Sequence, residues 1–170
     1  ERGRHTKHSF TLSNTVLDIV ESFKYLGIQL FKNGNWFRTQ KLLASHSKYA
    51  LHNLFTVFNQ IELSVADKCK LFETLVGSIL NYSAEVWGYH ESKDIELVHC
   101  KFLRKVLCVN KSTNLEGLYG ELGRYPLKIQ RTLILIKYWL KIINSDNSLV
   151  KTMYTMMKYD VEKQQYIWGM

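Results

Sequence analysis

Arg38, Lys41, Ser45, Lys48 and His52 recur every three or four residues, so on a helix they share one face. With Arg38 at zero and about 100° per residue, the other four fall near about 300°, 340°, 280° and 320°. Trp36, Ala50, Leu51, Leu54, Val57 and Phe58 fall between about 100° and 220°, which makes the opposite face apolar. A face that only needs solvation usually alternates acids with its cations. Here no Asp or Glu occurs between Glu21 and Glu62. The chemistry is that of a stripe that tracks phosphates, each cation releasing counterions from a polyanion. An ordinary solvated face is the competing account.

Other candidate groups are weaker. Lys101, Arg104 and Lys105 share one side of a later helix, with Asp94 on the same side as a partial counter-charge. Lys128 and Arg131 point one way and Lys137 and Lys141 nearly the opposite way, which reads as solubility charge. His99, Cys100 and Cys108 are metal-ligating types, but adjacent helical residues diverge by about 100° and no further ligand stands at a useful spacing. Both cysteines therefore read as core. Gly117, Gly120 and Gly123 punctuate a short helix and form no phosphate loop. The acids from Glu62 to Glu96 are scattered over helix surfaces, whereas two-metal nucleotidyl transfer needs carboxylates held a few ångströms apart. No catalytic, metal or cofactor site is expected.

The elements that must carry these residues are mostly helices. Residues 8–31 read as three short strands: one around Phe10 and Leu12, one resuming at Val16 after Ser13-Asn14-Thr15, and one from Phe23 to Phe31 that stops at Asn33-Gly34. Helices are expected over about 36–60, from Ser64 to about Trp87-Gly88, 92–108, 113–123, 126–144 and 147–162. Ser64 and Asp67 form a capping start, as do Thr113 and Glu116. Pro126 suits a first helical turn, where its missing amide proton is not needed. The helix from 126 is apolar nearly all round (Leu133 to Ile136, then Tyr138, Trp139, Leu140, Ile142, Ile143), which predicts a central position.

Composition sets the outer bounds. The chain of 170 residues is 46% hydrophobic, enough for one ordinary domain, with a single proline. Its formal charge of +8 is uneven: residues 1–60 hold 8 Lys/Arg against 3 Asp/Glu, residues 61–100 hold 3 against 7, and residues 101–170 hold 12 against 5. Three cysteines with no Cys-x-x-Cys pair predict buried thiols rather than disulfides, and an intracellular setting, nuclear or cytoplasmic. No apolar run reaches the roughly 18 residues of a membrane span. The start, Glu1-Arg-Gly-Arg-His5, has neither Met nor an apolar leader and reads as chain entered part-way.

Three stretches, in order, carry a family resemblance over about residues 10–145. Ser22-Phe-Lys-Tyr-Leu-Gly-Ile-Gln-Leu30 resembles the F-K-Y-L-G segment that closes the palm of non-LTR, LINE-type retrotransposon reverse transcriptases. Gly77-Ser-Ile-Leu-Asn-Tyr-Ser-Ala-Glu-Val-Trp-Gly88 is similar to that family's S-I-L-x-Y-G-x-E-V-W-G stretch, with Ser83 where the family usually has Gly. Leu118-Tyr-Gly-Glu-Leu-Gly-Arg-Tyr-Pro-Leu127 is similar to its ELGR-x-PL stretch. The resemblance implies a mainly α fold: a thumb-like helical bundle over 35–170, preceded by a small β-hairpin or three-stranded sheet over 1–34 from the end of a palm. It implies that Lys24 and Tyr25 belong to a hairpin supporting the primer end, and that the helices hold an RNA–DNA or DNA duplex. The fingers, palm strands and Tyr-x-Asp-Asp box of such an enzyme would precede Glu1, as partners this chain lacks. The expectation is a non-catalytic fragment whose apolar strands are left uncovered. A helical protein–protein interaction module without nucleic-acid binding is the alternative.

Overall fold

Helix dominates the fold, with two small antiparallel two-stranded sheets near the N-terminus. The computed structural model describes residues 10–13 and 15–168. Glu1 to His5 and Asn14 of the expected turn lie outside the described residues. The chain divides into two compact units, one ending at Thr39 and the other beginning at Gln40.

In the first unit, β1 (Phe10–Leu12) pairs with β2 (Thr15–Leu17), Phe10 opposite Leu17. Beyond them, β3 (Ser22–Tyr25) pairs with β4 (Ile28–Phe31), Ser22 opposite Phe31. The expected single strand over 23–31 is thus two strands. Leu26 and Gly27 lie between them at φ +46° and +84°. Two consecutive positive φ values make the two-residue turn whose twist suits a hairpin. Gly27 was the signal for it; Leu26, a poor residue for that backbone, hid it. Most apolar side chains of these strands are open to solvent, among them Phe10, Leu12, Val16, Phe23 and Tyr25. Thr39 ties the end of this unit to its second hairpin, its hydroxyl donating to the Gln29 carbonyl at 2.6 Å.

The helix α1 (Phe37–Gln60) opens under a side-chain cap, the Asn35 Oδ1 accepting the Phe37 amide at 2.8 Å. Next, α2 (Val65–Leu71) starts as its sequence predicts, with Ser64 Oγ accepting the Asp67 amide. The expected continuous helix to Trp87 is interrupted twice. Phe72–Gly77 is π-helical, burying Phe72, Val76 and Gly77. After α3 (Ser78–Leu80) the chain turns through Ser83 at φ +53° before α4 (Ala84–Trp87). Trp87 is fully buried, and its indole N–H donates to the Tyr82 carbonyl at 2.9 Å.

Three further helices follow: α5 (Lys93–Val106), α6 (Leu115–Glu121) and α7 (Leu127–Ile143). The α6 cap is Asn114, not Thr113: its Oδ1 accepts the Glu116 amide at 2.9 Å. Pro126 sits one residue ahead of α7 rather than inside it, its carbonyl accepting the Ile129 amide. Both α5 and α6 end on a left-handed residue, Cys108 at φ +54° and Gly123 at φ +60°. In each, the next amide reaches back across the last turn, Val109 to the Arg104 carbonyl and Arg124 to the Tyr119 carbonyl. The core runs through Phe72, Val76, Leu80, Trp87, Ile95, Val98, Phe102, Leu103, Leu118 and Leu127, with the Phe72 and Phe102 rings stacked at 4.0 Å.

The expectation of a central α7 fails. Only Leu127 and Arg131 of that helix are buried, while Leu133, Ile136, Trp139, Leu140 and Ile143 face solvent. Arg131, expected to be a solubility charge, is 1% exposed, its guanidinium 5.7 Å from the Trp87 ring. Burial lowers its pKa, partly offset by the Glu96 charge. The last helix, α8 (Ser148–Trp168), opens on Asn147, which caps the Leu149 amide at 2.9 Å. Among the described residues no helix is long and apolar enough to cross a membrane.

Two substitutions probe the α3–α4 corner by chemical denaturation. Ser83→Gly should stabilise by roughly 0.5–1 kcal/mol, relieved left-handed strain outweighing glycine's larger unfolded freedom. Gly88→Ala should destabilise by about 1–3 kcal/mol, because its Cβ would lie 2.4 Å from the Ala84 carbonyl oxygen. The opposite sign for either would contradict the geometry of this corner.

Candidate nucleic-acid interface

Leu43, Ala44, Ser47, Leu51 and Leu54 seat α1 in the second unit by one buried face. Lys41, Ser45, Lys48 and His52 are exposed on the other. The spacing of four, three and four residues continues to Phe55, so the row of cations ends on an aromatic ring. That ring is half-buried and lines a groove of about 740 Å³ with Leu97, Lys101, Arg104, Lys105, Cys108, Val109 and Lys111. The groove lining holds four cations and no acid. Arg104 and Lys105 complement the partial negative charge of the α5 C-terminus, as cations commonly do. Lys101 and Lys111 exceed that need.

Among the described residues no ion pair joins Asp94 to Lys101, Arg104 or Lys105. Arg104 reaches the Thr113 carbonyl through Nη2 at 3.4 Å, and its buried Nε has no hydrogen-bond partner. Phe55 could have been found by extending the stripe one step further. Lys111 could not, because it joins the groove only through the turn that reverses the chain at Cys108.

The remaining candidates belong to the first unit. Arg38 lies 5.4 Å from the Phe31 ring and, with Glu21, Ser22 and Lys32, lines an open pocket there. Lys24 and Tyr25 are both exposed on β3. As neighbours on a strand they project to opposite faces, so one flat surface cannot engage both.

No family model, curated protein or solved structure matches this chain.

What holds α5, α6 and α7 together behind the groove is a polar cluster around the Glu96 carboxylate. It accepts from the Tyr119 hydroxyl at 2.8 Å and from the Leu127 amide at 3.0 Å. His99, fully buried, places Nδ1 at 3.1 Å from Glu96 and receives the Arg124 Nε–H on Nε2 at 3.3 Å. Those roles put the ring hydrogen on Nδ1. Arg124 also pairs with Glu73 at 2.9 Å. Burial alone would raise the Glu96 pKa; the hydrogen bonds from His99, Tyr119 and Leu127 outweigh it and bring the carboxyl below its ordinary value. Burial and the Glu96 contact hold the Tyr119 phenol well above the usual tyrosine range. The Cys100 thiol, 3.8 Å from the Tyr119 oxygen, is pushed up by burial.

The three thiols are free but not uniformly buried. Cys100 is in the core, Cys69 half-buried and Cys108 exposed. Cys108 was expected inside; its left-handed helix-ending position turns it out. Among the described residues no group of three His, Cys, Asp or Glu side chains could hold a metal ion.

A pH series on Glu96→Gln tests the cluster. At neutral pH the variant should lose roughly 2–3 kcal/mol, the worth of charge-assisted hydrogen bonds left badly matched. The folded pKa of Glu96 lies below its unfolded value, so its contribution is complete above roughly pH 4.3 and fades as pH falls through the folded value. Wild type and variant should therefore converge in acid. A gap independent of pH would show that the carboxylate charge is not what matters.

Proposed function

We propose that this chain is a non-catalytic, thumb-side part of a LINE-type reverse transcriptase that grips a nucleic-acid duplex, RNA–DNA or DNA, by sequence-independent backbone contact. The observation that carries the reading is the acid-free row Lys41, Ser45, Lys48, His52 on α1, which runs through Phe55 into the groove of Lys101, Arg104, Lys105 and Lys111. Cations on neighbouring helices match a polyanion with phosphates at regular intervals better than they match a small anion. The order of the three motif-like stretches supports the parentage. In this chain their residues hold the scaffold. Trp87 and Gly88 close the α4 corner, Gly123 ends α6, and Tyr119, Arg124 and Leu127 belong to the cluster around Glu96.

Fluorescence anisotropy with a labelled duplex of arbitrary sequence tests the reading. Affinity should fall in the range of roughly 10⁻⁴ to 10⁻⁶ M at physiological salt and weaken steeply as salt rises. Lys41→Glu/Lys48→Glu/Lys105→Glu should weaken binding at least tenfold and reduce the salt slope by about 3. The same charge change at Lys137 and Lys141 should leave affinity within about threefold. Equal losses from both sets would reduce the effect to bulk charge and overturn the site.

A further inference from the structure

The buried Arg131 is short of partners. It is 1% exposed, and neither its Nε nor its Nη1 has a hydrogen-bond partner. Among the described residues it joins no ion pair. A charge held away from water persists only when it is paired and hydrogen-bonded. The Trp87 ring, 5.7 Å away, attracts the charge without answering its N–H donors. Arg131 lines a partly open cavity of about 230 Å³ at the starts of α5 and α7, many times the room a single water needs. Two acids share that lining, and both are engaged elsewhere. Glu91 pairs with Lys128. Glu96, whose charge reaches Arg131 without a hydrogen bond, accepts instead from the Tyr119 hydroxyl and the Leu127 amide. At the α5 end the cavity meets Ser92 and Lys93. Ser92 is the cap residue of α5, yet its hydroxyl caps no amide, so the positive end of that 14-residue helix is open.

We propose that this cavity binds a small monovalent carboxylate, whose oxygens accept from the Arg131 guanidinium while Lys93 and the open start of α5 complement its charge. Charge and shape select the class. The lining sets Lys93, Lys128 and Arg131 against Glu91 and Glu96, which leaves one positive charge unmatched. A monoanion balances it, whereas a phosphate dianion would be set against both carboxylates. A carboxylate also matches the planar fork of an arginine with two parallel hydrogen bonds. The inference stands apart from the nucleic-acid reading, since none of the α1 or groove cations lines this cavity.

Proton–nitrogen correlation spectra of the whole chain test it, read at the Arg131 Nε–H and at the amides of Lys93 and Asp94. Sodium acetate, compared with sodium chloride at equal ionic strength, should move these signals along one saturable single-site curve. Its dissociation constant should be roughly 1–10 mM, as suits so small a ligand. Phosphate should bind about tenfold more weakly or worse. Arg131→Met should abolish the saturable shifts at Lys93 and Asp94; should that variant not fold, the wild-type titration decides alone. Lys41→Glu/Lys48→Glu/Lys105→Glu should keep acetate affinity within about twofold, which separates this site from the groove. An end-blocked peptide with one glutamate that binds about tenfold more tightly than acetate would place the carboxylate on a protein chain. Equal affinity would make it a free small acid, and either result supports the site. No saturable shift with acetate, or tighter binding of phosphate, would overturn the proposal.

Discussion

The rest of the helical unit depends on keeping one carboxylate charged in a largely dry place. Stripping an ion of water costs several kcal/mol, and a buried charge persists only if its lone pairs are met. Glu96 meets them with donors from three elements: the His99 ring on its own helix, the Tyr119 hydroxyl of α6, and the Leu127 amide opening α7. The Leu127 amide is one of the free N–H groups every helix leaves at its start, so the carboxylate anchors α7 and complements its dipole. Arg124 then closes the cluster from outside, bridging His99 to Glu73 of the π-helical segment. Geometry at the groove follows, because α5 presents its cations on one side and this cluster on the other.

Much of this was legible in sequence where a residue type has one physical job. The start of α2 at Ser64, the end of α6 at Gly123 and the amphipathic split of α1 are local facts, and the chain follows them. Reading failed where local chemistry was ambiguous. Leu26 in a left-handed turn, and the π-helical stretch that begins at Phe72, give no composition signal. Arg131 looked like a surface cation because its partners, Trp87 and Glu96, are distant in sequence. The all-round apolar character of α7 does not fix its place, since a helix with two apolar sides can be central or, as here, can leave one side open.

The candidate site divides along the same line. The α1 stripe follows from periodicity, because one helix fixes the relative directions of its own side chains. The four-cation groove depends on α5 packing near Phe55 and on the turn at Cys108, which no local pattern announces. The motif-like stretches behave alike. What the sequence offered as a signature of ancestry is, residue by residue, a set of helix ends, close approaches and buried hydrogen bonds. Such residues position a surface from behind it.

If the chain grips a duplex as proposed, α1 and α5 together meet it while α7 and α8 do not. Hydrogen exchange with and without a saturating duplex measures this directly, since contacted backbone slows its exchange. New protection is expected over residues 41–55 and 97–111, with α7 and α8 unchanged. Protection confined to α7 and α8, or absent from the α1 and α5 segments while the duplex is bound, would contradict it.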